Sequence, residues 1–127
     1  MRAQRLDVTT TLSADRRLVV LAIVGELDLG TAEQLWPSLE RLLAPAAPHV
    51  GAAVPAAALE AVVLDATALE FLDSSGLRVL LRGAKLAEGE GTAFRVVAPN
   101  PVVQRVLELS GAARALDLRP SLPEAFA

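Results

Sequence analysis

At 127 residues the chain is long enough to form one domain with a buried core. Its formal net charge is −3 and it has no block of Lys or Arg, so nucleic acid is not an expected partner. The absence of cysteine removes disulfides, thiolate chemistry and Cys-ligated zinc together, and it fits a cytoplasmic setting. The opening residues Met1 to Asp7 have no apolar core and read as no signal peptide. The longest apolar run, Leu18 to Val24, is too short to span a bilayer, so direct membrane insertion is not expected.

Leu6, Val8, Thr10 and Leu12 alternate with Arg5, Asp7, Thr9 and Thr11, the period of a half-buried edge strand. Ser13 to Arg16 suits a hairpin turn. Leu18 to Val24 is continuously apolar, as in a strand covered on both faces, and Gly25 to Gly30 then breaks it. Thr31 and Gln34 have capping-box spacing, and Leu35, Leu39 and Leu42 follow at helical intervals, which predicts a first helix over 31–43. Residues 44–59 form an Ala/Pro-rich stretch of low complexity, read as a surface loop with a helical turn near 56–60 as an option. The only histidine, His49, lies between Pro48 and Val50 in that stretch and is expected to be solvated.

Val62 to Leu64 reads as the third strand. A second helix follows over about 74–87, with Leu77, Leu80, Leu81 and Ala84 as its buried stripe and Arg78, Arg82 and Lys85 on another face. Glu88 to Gly91 ends it. Phe94 to Val97 is the fourth strand, and Asn100 followed by Pro101 starts a third helix that Gly111 stops. Ala115 to Leu118 reads as a short fifth strand, and Ser121 to Glu124 as a final turn. The sum is an α/β domain spanning 1–127: a mixed, mostly parallel sheet of about five strands, an N-terminal antiparallel hairpin and three main helices.

Two loops carry chemistry. Asp73-Ser74-Ser75-Gly76 sits where a parallel strand feeds a helix, at the sheet edge where α/β folds gather their sites. A helix start has free N–H groups and a positive dipole end, so it can cap itself with Asp or Ser, and it can also hold a phosphate. Gly25-Glu26-Leu27-Asp28 lies on the same edge, and the pair makes a contiguous polar, acidic surface. Trp36 reads either as packing or as a partner contact. Arg78, Arg82 and Lys85 read either as a solvated face or as a rim for an acidic partner. With no cysteine, no Gly-x-Ser-x-Gly elbow and a single remote histidine, neither a metal site nor a Ser-His-Asp hydrolase is expected, and no motif calls for a cofactor.

Gly25-Glu26-Leu27-Asp28, Thr31-Ala32-Glu33, Leu64-Asp65 and Phe71 to Leu77, in that order, resemble the bacterial anti-sigma factor antagonists, the stand-alone STAS domains. Val97 to Gly111 resembles the last core helix of that family. The resemblance covers roughly 5–120 and implies a STAS fold. It also implies a non-enzymatic module that binds an anti-sigma factor and so releases a sigma factor.

In that family the anti-sigma factor is also an ATP-dependent serine kinase. It phosphorylates the first serine of the turn, here Ser74, and a separate serine phosphatase reverses the step. The resemblance places Asp28 near the phosphorylation site. The partner-binding residues expected are Asp28, Asp73, Ser74, Ser75, Gly76 and Arg78. Two departures stand out: Leu29-Gly30, where relatives are often polar, and the long Ala/Pro insert. The alternatives are a STAS subunit scaffolding a lipid transporter or a stress-sensing assembly, and a small hydrolase using Ser74.

Overall fold

The computed structural model describes residues 6–13, 17–43 and 59–126. The element order is β1 (Leu6–Leu12), β2 (Leu18–Leu27), α1 (Ala32–Leu43), β3 (Ala61–Leu72), α2 (Ser74–Gly89), β4 (Ala93–Val97), α3 (Pro101–Leu109), α4 (Ala112–Ala115), β5 (Leu118–Arg119) and α5 (Leu122–Ala125). One sheet has the order β1-β2-β3-β4-β5. β1 is antiparallel to β2 and the other pairings are parallel. Sequential strand order with right-handed crossovers puts the connecting helices on one face. Accordingly the main core joins Leu21, Ile23, Leu64 and Val96 of the sheet to Leu35, Leu39, Leu80, Val103 and Leu107 of α1, α2 and α3. A small second cluster, Val63, Val97 and Ala125, lies under α5 on the other face. Among the described residues no helix is long and apolar enough to cross a membrane.

β3 is longer than the apolar run Val62 to Leu64 predicts. It continues past Leu64 to Leu72, and its inward residues Leu64, Ala66, Leu69 and Leu72 are spaced two, three and three apart. The register gives the cause. Ala22 pairs with Asp65 but Val24 with Ala68, and Gly25 pairs with Leu69 but Glu26 with Phe71. Each step inserts one extra residue into β3, the signature of a β-bulge. At the first bulge the Asp65 carboxylate accepts from the Thr67 amide at 3.0 Å, which satisfies a donor the ladder leaves free. β2 likewise runs through Gly25 to Leu27 instead of breaking. Gly25 takes φ +118°, a conformation that glycine adopts without strain. Of β3, only Ala61 to Asp65 pair with β4, so β3 overhangs it and carries its own end, with that of β2, out to one edge.

The helix beginning there differs from expectation in its buried face. Gly76, Leu80, Gly83 and Ala87 form the buried line of α2, while Leu77, Leu81 and Ala84 flank it half-buried. Small residues on the centre line let the helix axis approach its neighbours. A Cβ at Gly83 would stand 3.2 Å from Leu39 Cδ1 of α1. α3 forms as read: the Asn100 side chain accepts from the Val102 amide at 2.8 Å, with Pro101 in the first turn. After Gly111 (φ +80°) the chain makes the short helix α4 instead of a strand at Ala115, and β5 shrinks to Leu118–Arg119.

The hairpin closes through the Ser13 amide to the Leu18 carbonyl at 2.9 Å, although 14–16 lie outside the described residues. His49 and the rest of 44–58 also lie outside them. Leu59 is buried and Glu60 donates its amide to the Arg17 carbonyl, so no helical turn forms at 59–60.

Candidate functional site

β2 and β3 end side by side, with Leu27 paired to Leu72, and this register brings the next residues of both strands together. Asp73 is the N-cap of α2. Its Oδ1 accepts from the Ser75 amide at 2.8 Å and the Gly76 amide at 3.1 Å. Its Oδ2 reaches across to the other loop and accepts from the Leu29 amide at 3.2 Å. Its own amide donates to the Leu27 carbonyl at 3.2 Å. One carboxylate thus caps a helix and clamps the neighbouring loop. The approach is so close that a Cβ at Gly76 would stand 2.6 Å from both Leu27 Cγ and the Leu27 carbonyl oxygen, and 2.9 Å from Leu72 Cδ1. Only glycine fits there.

The second loop is built the same way around Asp28. Its Oδ1 accepts from the Gly30 amide at 2.9 Å and the Thr31 amide at 3.1 Å, with the Thr31 hydroxyl oxygen 3.2 Å away. Thr31 is fully buried. Its hydroxyl lies 2.7 Å from the Glu26 carbonyl, to which it donates, and accepts from the Asp28 amide at 2.9 Å. The predicted capping box therefore does not form. Gln34 donates its amide to the Thr31 carbonyl at 2.9 Å, and the threonine hydroxyl turns back into the loop.

The amides of Ser75 and Gly76 are already taken by Asp73, so the choice at this helix start falls to a carboxylate cap and not to an open anion cradle. That leaves the serines unneeded for capping. Ser74 is exposed and Ser75 half-buried, and the hydroxyl of neither makes a hydrogen bond among the described residues. The resulting surface offers a free primary hydroxyl on a rigid corner, framed by two carboxylates that are held by backbone donors.

The model of the STAS domain family matches residues 8–125. The chain belongs to the STAS domain family. It is 30% identical, over 94% of its length and 88% of the relative's, to Anti-sigma-F factor antagonist RsfB of Mycobacterium tuberculosis. Among solved structures it resembles an anti-sigma factor antagonist from Mycobacterium paratuberculosis, with a TM-score of 0.75 and 28% identity, covering 96% of this chain and 92% of the other. It shares its fold with the Bacillus cell fate determinant SpoIIAA in the phosphorylated form, at a TM-score of 0.65 and 21% identity, covering 94% of this chain and 96% of that one.

In this STAS domain the residues singled out from the sequence take different places. Asp28, Asp73, Ser74 and Ser75 meet at one edge. Gly76 is buried, and its role there is to permit the contact between α2 and Leu27. Arg78 lies one helical turn beyond Ser74, exposed and without an ion pair among the described residues. Arg82 instead stacks on Trp36, 3.9 Å from the ring centroid, and Trp36 packs against the core, so that pair is engaged between α1 and α2. The clamp from Asp73 to Leu29 has no signal in the sequence. Only the Leu27–Leu72 register exposes it, and a strand stopped at Leu64 hides that register.

Proposed function

We propose that this protein is an anti-sigma factor antagonist switched by phosphorylation of Ser74. In the unphosphorylated state it binds an anti-sigma factor that is also a serine kinase and so frees a sigma factor. A separate serine phosphatase resets it. The protein is a cytoplasmic binding module and kinase substrate, not an enzyme. The observation that carries this reading is the exposed Ser74 hydroxyl, without a hydrogen bond among the described residues, on a corner fixed by the Asp73 cap and the close approach at Gly76. The antagonist named above, similar over nearly the whole of both chains, supports it over a transporter-scaffold role. A hydrolase reading finds no support, since no side chain among the described residues bonds the Ser74 hydroxyl as a base would.

The chemistry asks little of this chain, because the kinase supplies positioning and charge stabilisation for phosphoryl transfer. A phosphate adds a charge of about −1.5 to −2 at neutral pH. The dipole of α2 offsets at most ~2 kcal/mol of its cost. The Ser75 and Gly76 amides that would cradle it are held by Asp73. Buried in an interface, such a charge lowers affinity by roughly a hundredfold. Blocking by charge and bulk therefore suffices, without refolding.

The test is incubation with the kinase-type anti-sigma factors of the same genome and ATP, followed by mass spectrometry and binding measurements. Ser74→Ala should take no phosphate and bind constitutively, and Ser74→Glu should bind roughly a hundredfold more weakly. Equal binding by the two variants would refute the charge switch.

A further inference from the structure

Leu29 is the most exposed of the large apolar side chains in the described residues, at 77%. Single exposed leucines are common on protein surfaces and need no explanation by themselves. Leu29 differs from Leu109, exposed to a similar degree at the end of α3, in what fixes it. Its amide is clamped to Asp73 Oδ2 at 3.2 Å, and Asp73 is the residue next to Ser74. On its other side, Asp28 Oδ1 holds the Gly30 and Thr31 amides. The turn is built from these bonds together with those of the buried Thr31 hydroxyl to the Glu26 carbonyl and the Asp28 amide, and none of them involves the side chain at position 29. A polar residue would serve the turn equally well and would be better solvated. The leucine side chain is left in solvent while its backbone is held to Asp73, the residue that precedes Ser74.

We infer that Leu29 is a specificity-determining contact of the partner surface: an apolar knob that seats in an apolar notch flanking the phosphate-donor site of the kinase-type anti-sigma factor. The inference rests on Ser74 being the phosphoacceptor. A protein that brings a nucleotide's terminal phosphate to the Ser74 hydroxyl must cover the adjoining loop, because the two are joined through a single carboxylate. The loop backbone enters that contact already fixed, so burial of the side chain is offset only by its own rotamer freedom and not by ordering of the loop. Full burial of one leucine corresponds to roughly a 10- to 100-fold change in affinity. The carboxylates of Asp28 and Asp73 at this edge are both engaged with backbone donors, so the apolar knob adds a means of discrimination beside the exposed charge of Arg78.

The experiment compares wild type, Leu29→Ser and Leu29→Met with each kinase-type anti-sigma factor of the same genome. It reads the dissociation constant and the kcat and KM for phosphorylation of Ser74, with thermal melts alongside. Leu29→Ser should raise Kd and KM by roughly 10- to 100-fold with kcat and the melt unchanged, and Leu29→Met should restore both. If wild type is bound and phosphorylated and Leu29→Ser matches it, the knob is refuted while the Ser74 reading stands. If kcat falls with KM unchanged, Leu29 acts on the chemical step and the knob is again refuted. If no kinase binds or phosphorylates the wild type, the Ser74 reading fails and takes this inference with it.

Discussion

Thr31 and Ser74 are both hydroxyl residues at the start of a helix beside an aspartate, and the structure uses them in opposite ways. Thr31 is fully buried and its hydroxyl is spent on the Glu26 carbonyl and the Asp28 amide. Ser74 is exposed and its hydroxyl makes no hydrogen bond among the described residues. The difference lies in where the neighbouring aspartate sends its oxygens. Asp73 caps α2 unaided through Ser75 and Gly76, so the serine is released from structural work. Asp28 instead shares its loop with Thr31, which becomes part of the loop's internal bonding. A hydroxyl at a helix start is available for chemistry only when another group has already met the helix's needs.

That contrast can be broken at several points. The largest effect is expected at Gly76. Gly76→Ala would force a methyl to within 2.6 Å of the Leu27 backbone oxygen, and α2 would have to shift off the sheet. Urea denaturation should show a loss of about 3 kcal/mol. Next is Thr31→Val, which keeps the shape but strands the Asp28 amide and the Glu26 carbonyl. It should cost about 2 kcal/mol in the same assay, and an unchanged midpoint would show that the buried hydroxyl is dispensable. Asp73→Ala removes both the cap and the clamp on Leu29. About 1–2 kcal/mol of stability should go, with faster amide exchange at Leu29, while Asp73→Asn should keep most of the cap. The smallest effect on stability is expected from Ser74→Ala, within about 0.5 kcal/mol, because no group among the described residues bonds that oxygen.

Much of this was legible before the structure. The edge strand from Leu6 to Leu12, the cap at Asp73, and Asn100 with Pro101 at α3 are local signals, and each formed where it was read. The sites of failure are non-local. The bulged half of β3 changes its inward spacing from two to three after Ala66 and mixes polar residues into the strand, so the continuous apolar run that marks it ends at Leu64. The buried line of α2 runs through Gly76 and Gly83, which hydropathy alone does not mark as core, because their burial depends on Leu27, Leu39 and Phe94 from distant elements. Thr31 has a cap's spacing to Gln34, but the returning loop offers its hydroxyl nearer partners at Glu26 and Asp28. For the candidate site, the sequence placed the two acidic loops on one edge, while the bond that joins them depends on strand register.

The most direct test of the account is the position of phosphate after incubation of the full chain with its kinase-type anti-sigma factor and ATP, mapped by tandem mass spectrometry. One phosphate is expected, on Ser74, with Ser75 and Thr31 unmodified. Phosphate confined to Ser75, or transferred to Ser74→Ala as readily as to the wild type, would contradict it.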